Sequence, residues 1–156
     1  MKGIALAEQG HIVNILPAVD ITGGKTGDRF SMKNHGHASI IVQVGVSAAA
    51  FTKIIVNACD AATGGTPEAI PFRLAKEETS LGDTLSGFEA VAAAGYTPSA
   101  NDNIFYVIEL DASELPEGKP WVELSLTNTT NSVIASAVAV LTGSRYQGSE
   151  NATAIA

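Results

Sequence analysis

Period-two alternation of apolar residues runs through this chain and restricts its fold more than any other feature. In SIIVQVGV (residues 39–46), Ile40, Val42, Val44 and Val46 share one parity, and Ser39, Ile41, Gln43 and Gly45 share the other. A strand sends alternate side chains to opposite faces, so this pattern predicts a half-buried strand with the isoleucine–valine row in the core. FTKIIVNA alternates Ile54, Val56 and Ala58 with Lys53, Ile55 and Asn57. AIPFRLAK sets Ile70, Phe72 and Leu74 against Pro71, Arg73 and Ala75. Pro71 cannot donate to a ladder, so this strand is expected at an edge or to begin late. NIFYVIEL (103–110) is apolar on both faces, as a central strand would be. WVELSLTN directs Val122, Leu124 and Leu126 inward. NSVIASAVAVLTG (131–143) is also apolar all round, and its β-branched residues favour a strand over a helix. HIVNILPAVDI adds one or two short strands near the N-terminus.

The segments between these runs are turn chemistry: DITGGKTGDRF, AATGGTPEA, YTPSANDN and LPEGKP. LTNTTN reads as a hairpin turn between the last two strands. One helix is plausible over residues 80–95, alanine-rich and closing on Gly95 but weakened by Gly82 and Gly87; the segment reads equally as a long loop with one helical turn. Many short strands with polar turns predict an all-β fold, an antiparallel β-sandwich, jelly-roll-like, with at most one short helix. The 156 residues suit a single domain over 1–156, with residues 1–10 and 147–156 as extended arms.

Composition narrows the function. The chain is 46% hydrophobic, enough for a real core, and only 16% charged, which leaves surface suited to cover by other subunits. A net charge of −7 and scattered Lys and Arg disfavour direct nucleic-acid binding. No run is long and apolar enough to span a membrane, and MKGIALAEQGHIV lacks the apolar stretch of a secretory signal. One cysteine, Cys59, excludes an intrachain disulfide and reads as a buried small hydrophobe.

NHGHASIIVQVGVS (34–47) places His35 and His37 two apart at the head of a strand, the opening of the cupin metal motif. That motif also needs a glutamate four or five residues after the second histidine. Ile41 and Val42 stand there, no histidine follows His37, and the third, His11, lies far upstream. Two imidazoles leave a zinc or iron site short of ligands. The pair shares the parity of Ser39 and Gln43, so it is expected to face outward, solvated or at a subunit contact. Glu77, Glu78 and Asp83, then Glu109, Asp111 and Glu114, are the carboxylate clusters. Acid–base chemistry needs two carboxylates converging in a cleft, and Glu109 and Asp111 are expected in a solvated turn instead. No nucleophile motif occurs, and TGGKTGD (22–28) lacks the spacing of a phosphate loop. No catalytic, metal or cofactor residue is therefore assigned, and the chain is not expected to be an enzyme. Trp121, at a strand start, is expected in the core or an interface.

Several segments together resemble a family of small virion proteins of tailed bacteriophages: ALAEQGHIVNILPAVDITGG, HASIIVQVGVSAAAFTKIIVNACD, AIPFRLAKEET with GDTL, YTPSANDNIFYVIELDASEL, and VAVLTGSRY with ATAIA. The resemblance spans nearly the whole chain and rests on pattern, not on a catalytic motif. It implies a decoration (cement) protein, made in the bacterial host cytoplasm and bound to the outer capsid surface. The implied partners are the major capsid protein and further copies of itself, a homotrimer first and a dimer second. It supplies no catalytic residues. Another virion component, such as a head-fibre base or tail protein, and a carbohydrate-binding sandwich are the alternatives.

Overall fold

Strands form wherever the alternation predicts them. The computed structural model describes residues 3–145. The strands in chain order are β1 (His11–Asp20), β2 (Lys25–Thr26), β3 (Phe30–Ser31), β4 (His35–Ser47), β5 (Lys53–Cys59), β6 (Glu68–Ile70), β7 (Phe72–Glu77), β8 (Glu89–Val91), β9 (Ile104–Asp111), β10 (Trp121–Thr127) and β11 (Val133–Ser144). A single α-helical turn, α1 (Leu6–Gln9), precedes β1, and a 3-10 turn (Ala112–Glu114) follows β9.

Two sheets stack face to face. One has the order β1-β11-β4-β9-β7-β8, the other β2-β10-β5-β6 with β3 also on β10. All pairings are antiparallel. The pairs nest: β1 with β11, β2 and β3 with β10, β4 with β9, β5 with β6. A long hairpin folded over and wrapped into two sheets gives this order, which is that of a jelly roll. The β7–β8 hairpin extends the larger sheet.

The core lies between the sheets. Ile40, Val42 and Val44 of β4 meet Val56 and Leu124 of the other sheet's inner face in one buried cluster that also holds Tyr106, Ile108 and Leu141. Each such side chain contributes roughly 1.5–3 kcal/mol by leaving water. β9 is central, as its two apolar faces require, with Ile104, Tyr106, Ile108 and Leu110 in the core.

Three expectations change, and the one for Pro71 holds. Val46 is 65% exposed, not in the core. Between the pairs Val133–Ser47 and Ala135–Val44, β4 uses three residues where β11 uses two. This bulge reverses the parity and turns Val46 out. LTNTTN is not a hairpin turn, because β10 and β11 belong to different sheets and the segment crosses between them. Pro71 marks the same kind of passage, with β6 an edge strand of one sheet and β7 in the other. Residues 80–95 form no helix; Glu89–Val91 pair with β7 instead. The segment before them wraps the Glu77 carboxylate, which accepts the backbone N–H of Thr79 (2.7 Å) and of Thr84 (2.9 Å). Gly82 sits so close that a Cβ there would collide with that carboxyl group.

In the predicted N-terminal arm, Leu6–Gln9 make a helical turn rather than an extended stretch. The predicted arm 147–156 lies outside the described residues.

Candidate functional site

The outer face of the six-stranded sheet gathers the chain's most reactive polar groups. Register does the gathering. His37 of β4 stands opposite Asp111 of β9, and Ser39 stands opposite Glu109. Arg73 of β7 stands opposite Glu109 on its other side. His37 Nδ1 lies 2.7 Å from Asp111 Oδ1, and Nε2 lies 2.5 Å from Glu109 Oε2. The Ser39 hydroxyl donates to the same Glu109 oxygen at 2.6 Å. Arg73 reaches Asp111 Oδ2 at 3.5 Å, and Glu114 Oε2 accepts the Asp111 backbone N–H at 2.8 Å.

A carboxylate only accepts hydrogen bonds, so His37 satisfies both partners only with a proton on each ring nitrogen. Burial alone would lower its pKa. The hydrogen bonds that the ring donates to Asp111 and Glu109, with the charges of those carboxylates, outweigh that and raise it above the ordinary 6.5. His37 is thus a charged clamp between β4 and β9. Ser39 is bonded to Glu109 and not to His37, so the three do not make a nucleophile relay. Among the described residues, no group of three or more His, Cys, Asp and Glu side chains is placed to hold a metal ion. Glu109 and Asp111 do share a face. Asp111, 45% exposed, ends β9 and caps the 3-10 turn as expected, whereas Glu109 lies within the strand and its side chain is only 17% exposed.

His35 parts company with His37. It is 5% exposed and its ring lies nearly parallel to that of His11, at 5.9 Å between centroids and 17° between planes. Among the described residues, its buried Nδ1 has no hydrogen-bond partner. Burial first, then the neighbouring His11, pushes its pKa below 6.5. The two residues of the His-Gly-His motif therefore sit in opposite electrostatic environments. Sequence spacing showed that His37 would face outward, but not the burial of His35 under His11.

The other candidates do not converge on one place. Glu77 caps its loop, and Asp83 accepts the Thr84 hydroxyl at 3.0 Å. Glu78 Oε1 accepts the hydroxyls of Tyr106 (2.9 Å) and Tyr96 (3.0 Å), and Tyr96 in turn accepts from Lys76 at 2.9 Å. Tyr106 is wholly buried, and burial chiefly pushes its phenol far up the pH scale. Cys59 is buried, and that burial raises its thiol pKa, the reverse of what a nucleophile needs. Trp121 is half-buried at the start of β10, paired with Cys59 and Ser31. In TGGKTGD, the N–H groups of Gly23, Gly24 and Gly27 donate to Thr129, Ile21 and Leu124 carbonyls, so they are not arrayed for a phosphate. Gly27 is needed for packing: a Cβ there would stand 2.9 Å from the Ile15 carbonyl oxygen.

One pair was not legible in the sequence. Arg29 Nε donates to Glu123 Oε2 at 2.7 Å, with both side chains nearly buried. Arg29 Nη1 also donates to the carbonyls of Ala61 (2.9 Å) and Gly64 (2.5 Å), fastening the 60–65 loop to the smaller sheet.

No family model matches the chain, and no curated protein does. Among solved structures, the SPBc2 prophage-derived protein YomS is similar, at TM-score 0.46 and 15% identity over 84% of this chain and 94% of that one.

Proposed function

We propose that this chain is a structural protein of a tailed-phage virion: a decoration protein on the outer surface of the icosahedral head. It works by binding, without catalysis or a cofactor. The observation that carries the reading is how the reactive side chains are used. His37 is held by Glu109 and Asp111, Glu123 by Arg29, and Glu78 by two tyrosines, each across strands or between a strand and a loop. These contacts fasten a scaffold, and a scaffold under mechanical load needs such ties. The resemblance of five sequence segments to small virion proteins supports the same role, as does the jelly-roll order.

The physics of cementing is linkage. A subunit that binds the assembled shell and not its free parts stabilises the shell by its binding free energy. Repetition over a lattice adds avidity, provided that one subunit spans neighbouring capsid proteins. A closed homotrimer matches the threefold positions of such a lattice. Reconstruction of the source particle by cryo-electron microscopy tests this. The sandwich should appear as density on the outside of the head. Density at a fibre base or in the tail would replace this reading with another virion role, and absence from the particle would end it.

A further inference from the structure

At the Ser47 end of β4, two local rules are broken side by side. The bulge turns Val46 into solvent. Leu81, 83% exposed, has a φ of 56°, a left-handed conformation that leucine rarely adopts. Asn103, a residue that tolerates this region, takes it at 54°. Backbone bonds join them: Asn103 N–H donates to the Gly45 carbonyl (3.0 Å), and Leu81 N–H donates to the Asn103 carbonyl (3.2 Å). Gly45 also lies against Ile134, itself 41% exposed. Ile134, Val46 and Leu81 thus form an apolar edge. Asp20, opposite Ile134 in register, and Asp102, which accepts the Ser47 N–H at 2.8 Å, flank it with negative charge. Hydrogen bonds from Ser132 and then Thr22 hold Asp20 at a pKa of about 2, so it stays ionised. Backbone strain gathers at functional sites, and apolar patches with polar rims mark interaction surfaces.

The opposite end, some 40 Å away along β4 at about 3.3 Å per residue, is the electrostatic converse. A cleft of about 320 Å³ opens there between the start of β4 and the loop after the 3-10 turn. Its floor includes Met32, Leu115 and two prolines, Pro116 and Pro120; its cations are Lys33, Lys119 and Arg145. Among the described residues no carboxylate lines it, in a chain of net charge −7. Lys119 is bonded to Glu68, whereas Lys33 and Arg145 make no ion pair among the described residues.

We infer that these two ends are the halves of a head-to-tail contact between copies of this chain, the acidic apolar edge of one seated in the basic cleft of the next. Edge against edge is opposed by like charge, and so is cleft against cleft. A contact between unlike surfaces closes into a ring where its rotation permits and otherwise propagates. This gives the self-association proposed above a geometry, and it is tested on the isolated protein whether or not that protein coats a head.

The test is complementation, read as mass by light scattering and sedimentation at low salt. One variant loses the apolar edge without added charge (Val46→Asn with Leu81→Asn) and the other loses the cleft (Lys33→Glu with Arg145→Glu). The unaltered chain should form oligomers that dissociate in high salt, and each variant alone should be a monomer. Mixed one to one, the variants retain one edge and one cleft between them, so a heterodimer and nothing larger should form. A monomeric unaltered chain, variants that keep its oligomer, or a mixture without the heterodimer would each overturn the inference. Thermal melts establish folding, and should either variant fail to fold, the milder pair Leu81→Ser and Lys33→Gln with Arg145→Gln repeats the mixing test.

Discussion

Replacing Glu109 by Gln tests the charged clamp on the outer sheet face. The change keeps the shape and leaves an oxygen that can still accept from His37 Nε2. What it removes is the negative charge 2.5 Å from that nitrogen. Hydrogen bonds to charged groups contribute about 1.5–3 kcal/mol and neutral ones about 1. The His37 side chain is 29% exposed, so screening trims the difference to about 1 kcal/mol. For a chain of this size that is roughly 2–4 °C in melting temperature. The loss must depend on pH. His37 has a folded pKa above its unfolded value, so its contribution is complete below about 6.5 and fades as pH rises through the folded pKa. Above it, Nε2 is bare and faces a carboxylate in the native chain, whereas the Gln amide can donate to it. The melting gap between native and Glu109→Gln should therefore shrink from pH 6 to pH 9 and vanish or reverse. Calorimetric melts at both values, with an NMR titration of the His37 ring, measure it. An equal gap at both pH values, or a His37 that titrates at or below 6.5, would refute the clamp.

Other consequences follow from the remaining polar contacts. His35 behaves oppositely: its depressed folded pKa makes the protein lose stability as pH falls below about 6.5, because the unfolded chain takes up a proton that the buried ring resists. His35→Leu should flatten that acid limb in urea titrations between pH 7 and 5. Arg29→Met leaves the Glu123 charge nearly buried and unpaired, and chemical denaturation should show a loss of about 2–4 kcal/mol. The same variant should be cleaved faster at Gly64–Gly65 by an added protease, since Arg29 holds that loop. Tyr106→Phe strips a hydroxyl that donates to Glu78 and accepts from the Ser99 N–H, and should cost about 1–3 kcal/mol in the same assay.

Strand positions were legible because burial follows parity. β4, β5, β9 and β10 bury the rows that alternation assigns to the core. The failures have physical causes that local pattern does not encode. The bulge at Gly45 and Val46 shows only once β11 is beside β4. Asn and Thr in LTNTTN permit a sharp change of direction, but they do not say which sheet receives the next strand. The alanines of 80–95 favour a helix, yet Glu77 recruits that backbone to satisfy its own buried carboxylate. The candidate site was half legible. Parity put His37 with Ser39, and Glu109 with Asp111, on common faces. Bringing those faces together took the register of β4 on β9, over 72 residues of separation. His11 and His35 likewise meet from separate strands, with nothing in either segment to announce the other.

The proposed role, cementing a phage head, has a direct test. Purified protein is added to expanded phage heads that lack it, and bound protein and head melting are followed together. Binding should saturate at a fixed number of copies per head, and the melting temperature of the shell should rise with occupancy, as linkage requires. Heads that take up no protein, or that take it up without any gain in thermal stability, would contradict the account.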